Sequence, residues 1–302
     1  MKAFISGIDG FTGRYLAREL KTRGYTVCGV SHREPVVPLE FVDDFAICDL
    51  ANKQALGAAL ARTNPDVVAH LAALAFVGHG DPSAFYQVNV MGTRNLLEAL
   101  ASLPNAPRCV LIASSANIYG NATEGILDEA CAPAPANDYA VSKLAMEYVA
   151  KLYSARLPIV LARPFNYTGI GQDESFLLPK IIESVRRRAP VIELGNLHVS
   201  RDFSDVRMVV DRYRRILETP AAVGHTFNVC SGIAYSLDDV LSMIREITGA
   251  SFEIRVNPAF VRPNEVKVLL GTCAKLDALL GASEPIALIE TLRWMLAAPA
   301  AS

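Results

Sequence analysis

The sequence predicts an α/β protein in which a doubly wound parallel β-sheet is followed by a smaller C-terminal α+β lobe. Two observations support this prediction. Short apolar segments of strand length alternate with segments of helical periodicity over the first half of the 302 residues, which is the order of a parallel sheet with helical crossovers. These apolar segments are hydrophobic nearly throughout, as expected where helices cover both faces of the sheet.

The first strand is predicted at residues 2–7, KAFISG, and a helix with a closing glycine follows at 13–24. The remaining strands of the first half are predicted at 25–31, 44–50, 65–73, 109–115 and 157–164, and its remaining helices at 53–63, 85–102 and 138–154. After about residue 165 the pattern loosens, and the elements of the smaller lobe are predicted at 176–188, 190–196, 236–248, 251–257 and 286–298. We therefore expect a sheet domain at 1–165 and a lobe mainly at 166–302, from which some segments can return to the sheet.

Composition and charge exclude several classes of function. With a formal net charge of −2, the chain has no basic field for nucleic acid and no polybasic anchor for a membrane. The apolar runs are short and interrupted, and the N-terminus reaches a glycine loop after six residues, which does not fit a signal peptide. We expect a cytoplasmic protein with reduced thiols and no metal site, because no cysteine has CxxC or metal-ligand spacing. The cysteines are Cys28, Cys48, Cys109, Cys131, Cys230 and Cys273.

A glycine-rich loop follows the first strand and opens the first helix. In GIDGFTG the glycines Gly7, Gly10 and Gly13 allow a tight turn and let backbone N–H groups approach a pyrophosphate at a helix N-terminus. The pattern predicts a Rossmann-type dinucleotide-binding domain, with Phe11 and Thr12 also at the cofactor. The alternative is a tight turn that binds no ligand.

The loop after the second strand bears on the choice of cofactor. An NAD enzyme usually places a carboxylate there for the ribose hydroxyls, whereas this chain has Ser31, His32 and Arg33. A hydroxyl and a guanidinium suit a 2′-phosphate, which favours NADP(H), although NAD(H) stays open and Arg33 could be a solvated loop charge. Further cofactor contacts are predicted at the ends of the third and fourth strands, from Asp49, Leu50, Leu71, Ala72 and Ala73.

Three side chains predict redox acid–base chemistry. Ser115 ends the fifth strand, and Tyr139 and Lys143 lie four residues apart at the start of the next helix, on one face. An ammonium and an oxidised nicotinamide beside the phenol are expected to lower the pKa of Tyr139. The phenol could then exchange a proton with a carbonyl or alcohol oxygen while the nicotinamide exchanges a hydride, and Ser115 could polarise the same oxygen. Tyr139 and Lys143 are also predicted to bind the cofactor, Lys143 at the nicotinamide ribose. The alternative is a chance pairing of two common surface residues.

The motifs GIDGFTG, HLAA, SSANIYG and YAVSK resemble those of the extended short-chain dehydrogenase/reductases, the NAD-dependent epimerase/dehydratase family, over nearly the whole chain. ARPFNYTGIGQ, GNLHVSRDFSDV and RPNEV resemble the branch of this family that acts on GDP-mannose and its derivatives. The resemblance implies a sugar-nucleotide substrate held by Asn166, Leu177, Lys180, Arg201, Arg262 and Glu265. The alternative is that Arg201–Asp202 and Arg262–Glu265 are ordinary ion pairs.

The predicted reaction depends on the absence of a glutamate at position 117. Related dehydratases carry a glutamate where this chain has Asn117, and an amide cannot remove the C5 proton. Cys109 lies inside a strand, where it cannot supply the further acid–base group of an epimerase-reductase. Simple reduction of a GDP-4-keto-6-deoxy-hexose at C4 needs only Ser115, Tyr139, Lys143 and NAD(P)H, and GDP-6-deoxy-D-mannose (GDP-D-rhamnose) is the expected product.

Other functions stay open at this point. They are a C4 reductase with a talo or heptose product, a 4-epimerase, a 4,6-dehydratase, and a non-enzymatic NADP-sensing protein. The resemblance also implies a homodimer through the helices around 85–103 and 138–154.

Overall fold

A computed structural model describes residues 1–75, 81–120, 125–261 and 266–299. Its strands are β1 (Lys2–Ser6), β2 (Thr26–Ser31), β3 (Asp44–Ile47), β4 (Val67–His70), β5 (Cys109–Ala113), β6 (Ile159–Pro164), β7 (Asn166–Thr168), β8 (Val191–Leu194), β9 (Ser200–Asp205), β10 (Thr226–Val229), β11 (Ala234–Ser236), β12 (Glu253–Val256) and β13 (Val268–Leu269). Its α-helices are α1 (Phe11–Thr22), α2 (Lys53–Thr63), α3 (Pro82–Phe85), α4 (Thr93–Leu100), α5 (Asp138–Lys151), α6 (Leu177–Arg186), α7 (Val206–Glu218), α8 (Leu237–Thr248), α9 (Ala274–Leu280) and α10 (Leu288–Ala297).

The central sheet of the described residues has seven strands in the order β10-β6-β5-β4-β1-β2-β3. Every neighbouring pair in it is parallel, and two apolar clusters separate the sheet from the helices on its two faces. The predicted doubly wound α/β fold is therefore confirmed. Because the strands are parallel, their carboxyl ends lie along one edge, where open α/β sheets bind ligands.

The chain returns to the central sheet after the sequence pattern loosens. Strand β10 pairs with β6, with Thr226 opposite Leu161, and α7 packs against α1. A cut at residue 165 therefore separates strands of one sheet. The assignment of cofactor binding to the first part and substrate binding to the second stays a prediction.

Short strands and three helices form the smaller lobe. Strand β9 pairs with β7, β11 and β13, while β8 pairs with β12. Helices α6, α8 and α10 bury an apolar cluster against them. Strands β7, β9, β11 and β13 have only two to six residues each, which is too short for a clear periodic signal in the sequence.

The long helix predicted at 85–102 is interrupted in the structure. Helix α3 continues through a π-helical stretch, Tyr86–Gly92, into α4. The wider turn faces Asn89 into the protein, where its side chain is fully buried and bonds both Leu74 and Ser142. Such π-helical turns occur mostly near functional sites.

Candidate active site

The glycine loop after β1 leaves no room for a Cβ atom at Gly7 or Gly13. Gly7 has φ +71°, and a Cβ there would lie 2.8 Å from the Cα of Ala72, so the loop packs directly against the end of β4. A Cβ on Gly13 would overlap the carbonyl oxygen of Gly7, which keeps α1 close to the loop. With small residues on both sides, the loop fits the close approach of a dinucleotide pyrophosphate.

Two cofactor residues predicted in this loop contact the smaller lobe. The Thr12 hydroxyl lies 2.8 Å from the hydroxyl of Tyr167, and the Phe11 ring stacks on Tyr167 at 6.0 Å between centroids. Tyr167 directly follows Asn166 in β7. The predicted cofactor loop and the predicted substrate strand are therefore in direct contact.

The other predicted cofactor residues lie at the ends of β2, β3 and β4. Ser31 is buried and its hydroxyl accepts the Arg33 N–H at 3.4 Å, while the side chains of His32 and Arg33 are exposed. Asp49 is exposed and accepts the N–H of Ala51. The Leu50 side chain packs in the core, and Leu71, Ala72 and Ala73 are half-buried.

The exposed Arg33 leads to a prediction about cofactor preference. Arg33→Ala should weaken NADPH binding by about 1–3 kcal/mol and leave NADH binding nearly unchanged, because only NADPH carries the phosphate that the guanidinium would bind. Fluorescence titration of both cofactors measures the difference. Arg255→Ala, which removes another exposed arginine, from β12, is the control. Equal losses for the two cofactors would show that Arg33 does not contact the phosphate.

Ser115 and Tyr139 come together at the carboxyl edge of the sheet. Ser115 precedes a 3₁₀-helix, Ala116–Tyr119, and its hydroxyl oxygen accepts the backbone N–H of Asn117 at 3.1 Å. Tyr139 lies in the first turn of α5, whose start is capped by Asn137. The side chain of Tyr139 is buried beside Ser115.

Lys143 lies one turn further along α5 and is also buried. Its ammonium donates to the carbonyl oxygen of Ala113, the last residue of β5, at 2.5 Å. Burial lowers the pKa of Lys143 to about 8, against the opposing charge of Glu147. The structure thus brings Ser115, Tyr139 and Lys143 to one edge, as their positions in the sequence predicted.

The protein groups around Tyr139 favour its protonated form. Burial raises the pKa of Tyr139 to about 12, and the contact with Ser115 only partly opposes it. Since the ammonium of Lys143 is directed to the Ala113 carbonyl, the protein groups alone keep the phenol protonated at neutral pH. A protonated phenol can donate a proton to an oxygen that is being reduced.

A chain of buried hydrogen bonds fixes the end of β4 beside this site. The Thr93 hydroxyl donates to the Asn89 carbonyl oxygen at 2.6 Å, so it accepts from Nε2 of His70 at 2.7 Å, and Nδ1 then accepts from the Ser6 hydroxyl at 2.6 Å. Burial lowers the pKa of His70 to about 3. His70 is therefore neutral, and both its ring nitrogens hold the strand end in place.

A buried ionic network under the site was not foreseen in the sequence. The Arg163 guanidinium forms a two-point ion pair with Glu147, at 2.9 and 2.8 Å, and also donates to the hydroxyl of Tyr119, which donates to Asn228. It ties together α5, β6, β10 and the segment after Ser115. Two features could have indicated it: an arginine inside an apolar strand, and a glutamate four residues after Lys143.

The residues predicted to hold the sugar nucleotide lie on several elements. Asn166 in β7 has a buried Nδ2 atom without a hydrogen-bond partner among the described residues, which fits a ligand-binding amide. Leu177, at the start of α6, is half-buried. Lys180 lies one turn further along the same helix, and its ammonium is 3.5 Å from the centroid of the Phe260 ring. Arg201 donates to the carbonyl oxygens of Ser200 and Lys267.

The carboxylate of Asp202, next to Arg201 in the sequence, has hydrogen-bond partners in the loop after β10. This buried carboxylate accepts the backbone N–H groups of Ser231 and Gly232 at 2.8 Å each and the Ser231 hydroxyl at 2.6 Å. It thus fixes the loop after β10. Arg262 and Glu265 lie outside the described residues, so their roles stay predictions.

No cluster of three or more His, Cys, Asp or Glu side chains in the described residues could hold a metal ion. No helix in the same part of the chain has the length and hydrophobicity needed to cross a membrane. All six cysteines are free thiols.

The strand order, the glycine loop and the Ser, Tyr and Lys side chains at one sheet edge are those of the extended short-chain dehydrogenase/reductases, whose members are NAD(P)-dependent enzymes. Residues 4–295 match the family model described as GDP-mannose 4,6 dehydratase. The chain belongs to this family.

Relatives in the family have several activities. The chain is 36% identical to a GDP-6-deoxy-D-talose 4-dehydrogenase from Aggregatibacter actinomycetemcomitans, over 93% of this chain and 92% of that protein. It is 32% identical to a GDP-6-deoxy-D-mannose reductase from Pseudomonas aeruginosa, over 98% and 96%.

Solved structures resemble the whole chain. A Burkholderia cenocepacia J2315 protein named provisionally as an epimerase is 52% identical, with a TM-score of 0.91 over 98% of this chain and 96% of that one. The Pseudomonas aeruginosa protein RMD, complexed with NADPH, is 30% identical, with a TM-score of 0.83 over 98% and 97%.

Proposed function

We propose that this protein uses NADPH to reduce the C4 keto group of a GDP-4-keto-6-deoxy-hexose. The observation that carries the proposal is the buried phenol of Tyr139, kept protonated beside Ser115 and Lys143, together with an amide at position 117. This set can protonate an oxygen at C4 but holds no carboxylate in 113–120 that could take a proton from C5. Relatives named for GDP-6-deoxy-hexoses support the same substrate class.

In the proposed mechanism the protein groups bind and protonate the C4 oxygen. The glycine loop and the ends of β2 and β4 would hold NADPH, which supplies the hydride when bound. The Ser115 hydroxyl donates a hydrogen bond to the C4 carbonyl oxygen, and Tyr139 transfers its phenolic proton to that oxygen as negative charge develops on it. The Lys143 ammonium then favours the phenolate until a proton from solvent restores the phenol.

The sugar nucleotide is proposed to lie across the smaller lobe. The Nδ2 atom of Asn166, which has no hydrogen-bond partner among the described residues, and the partly buried ammonium of Lys180 are proposed to bind the sugar nucleotide. Arg201, Arg262 and Glu265 complete the set proposed for the pyrophosphate and ribose. Guanidinium groups suit a diphosphate, and a carboxylate suits ribose hydroxyls. NADP(H) is the proposed cofactor, with NAD(H) as the weaker alternative.

Incubation with two substrates tests the proposal. With NADPH deuterated at nicotinamide C4, the GDP-4-keto-6-deoxy sugar should be consumed with one NADPH oxidised per sugar, and NMR should place deuterium at sugar C4 and none at C6. GDP-mannose, in the presence of either cofactor, should be left unchanged. Elimination of water from GDP-mannose with no net change in cofactor would identify a dehydratase instead, and binding of NADPH without any turnover would favour a sensor.

The configuration at C4 gives a second candidate product. GDP-6-deoxy-D-mannose is the product that we propose from the sequence, and the talo epimer is the alternative, favoured by the 36% identity to the relative named for the talose derivative. The two differ in which face of the C4 carbonyl receives the hydride. The coupling constants of H4 in the product of a parallel reaction with unlabelled NADPH distinguish them.

A homodimer and a cytoplasmic location complete the proposal. Val141, Tyr148 and Leu152 follow one another at spacings of seven and four along α5 and its end, so they share a face, and they are 38%, 60% and 75% exposed. Met91 on the π-helical stretch is exposed as well. A second copy that covers this apolar face should double the mass measured by light scattering, and Tyr148→Glu should shift the protein towards the monomer.

A further inference from the structure

Asn117 contacts Ser115 twice. Its backbone N–H and its side-chain Nδ2 both lie 3.1 Å from the Ser115 hydroxyl oxygen. The first contact is the cap of the short 3₁₀-helix that Ser115 begins, and any residue at 117 would make it. The second contact requires a side chain that donates, so it depends on the asparagine.

These two contacts determine the direction in which Ser115 donates. A serine hydroxyl has two acceptor positions and one proton to donate. Both acceptor positions are filled by N–H groups of Asn117, so the proton is left for another partner. The proton is then available to the phenol of Tyr139, whose pKa the Ser115 hydroxyl lowers against the larger effect of burial. In a substrate complex it would be available to the oxygen that Tyr139 protonates.

We infer that Asn117 is a positioning residue, whose side-chain amide commits the Ser115 hydroxyl to donating its proton towards the reacting oxygen. This inference rests on the proposed reduction and adds to it. Asn117 therefore has a role of its own in addition to replacing the glutamate of the dehydratases. Its amide donates a hydrogen bond to Ser115 that an ionised carboxylate could not donate. An ionised carboxylate at 117 would accept the Ser115 proton and remove it from the reacting oxygen.

Two substitutions at position 117 separate this role from simple structural support. Asn117→Asp, which nearly preserves the shape, should lower kcat at pH 8 by about 100-fold, the scale for loss of one donor to a developing oxyanion. Relative to the wild type at each pH, its activity should rise at least about fivefold from pH 7 to pH 5, as the carboxyl begins to gain a proton that it can donate. Asn117→Ala should lose about tenfold in kcat at every pH, and KM should stay within about twofold for both variants.

Two kinetic results would overturn the inference. Wild-type kcat in Asn117→Asp at pH 8 would mean that Ser115 donates to the side chain at 117 and not towards Tyr139. Equal, pH-independent losses in the two variants would mean that Asn117 only supports the loop. Thermal unfolding of each variant shows whether a loss of activity comes from a loss of folding.

A measurement without substrate separates this inference from the proposed function. The side-chain amide resonance of Asn117 in a ¹⁵N-labelled protein, identified by its absence in Asn117→Ala, should shift in Ser115→Ala. It should stay unchanged in Ser114→Ala, a matched control whose buried hydroxyl has no hydrogen-bond partner among the described residues. If this shift is observed and no C4 reduction is found, the contact between Asn117 and Ser115 is supported and the proposed reaction is rejected. If no shift is observed, the contact itself is rejected.

Discussion

Tyr139→Phe is expected to lose turnover by about two to four orders of magnitude, the scale for a positioned acid–base group, and to retain cofactor binding. The substitution removes one oxygen atom from a buried ring and leaves its packing against Phe85. What is lost is the proton donor, which burial keeps protonated at neutral pH by raising the pKa of Tyr139 to about 12. Steady-state kinetics with the GDP-4-keto-6-deoxy sugar and NADPH titration by fluorescence measure the two effects separately.

A matched control lies on the same helix. Tyr148→Phe makes the same chemical change on the outer face of the helix, at the proposed dimer contact. It should leave kcat within about twofold, because it keeps the apolar ring that would pack there and removes only one oxygen atom. If Tyr139→Phe kept near wild-type activity, another group would have to be the proton donor. A loss of NADPH binding in this variant would instead assign Tyr139 to the cofactor site alone.

Glu147→Gln is expected to lower the free energy of unfolding by about 3–5 kcal/mol, because it leaves the buried Arg163 guanidinium without a counter-charge. The side chains of Glu147 and Arg163 are only 1% and 7% exposed. Glutamine keeps the shape of the side chain, so the loss measures the charge and not a cavity. Chemical denaturation followed by circular dichroism gives the free-energy difference.

An exposed ion pair provides the comparison for this prediction. Glu98→Gln breaks the pair with Lys53, whose members are 48% and 60% exposed, and should change the free energy of unfolding by less than about 1 kcal/mol. A similarly small value for Glu147→Gln would mean that Arg163 finds other acceptors. Glu147→Gln should also lower the pKa of Lys143 further, because the negative charge of Glu147 opposes the effect of burial on that pKa.

Local patterns in the sequence determined the architecture and most of the candidate site. Strand-length apolar runs between helical segments predicted the parallel sheet, because burial on both faces requires such runs. Gly7, Gly10 and Gly13 predicted the turn, since a backbone with φ +71° at Gly7 needs a glycine. The spacing of Tyr139 and Lys143, with Ser115 at a strand end, predicted their meeting because the carboxyl ends of parallel strands share one edge.

Only the tertiary structure decided the features that depend on contacts between distant segments. Three such features are the return of β10 to the sheet, the pairing of Glu147 with Arg163, and the hydrogen bonds of His70 to Ser6 and Thr93. They join residues whose neighbours in the sequence carry no matching signal. The direction of the Tyr139 pKa shift belongs here as well. From the sequence, a nearby ammonium together with an oxidised nicotinamide is expected to lower this pKa. Among the protein groups alone, desolvation, which requires knowing what surrounds the phenol, is the largest effect and raises it.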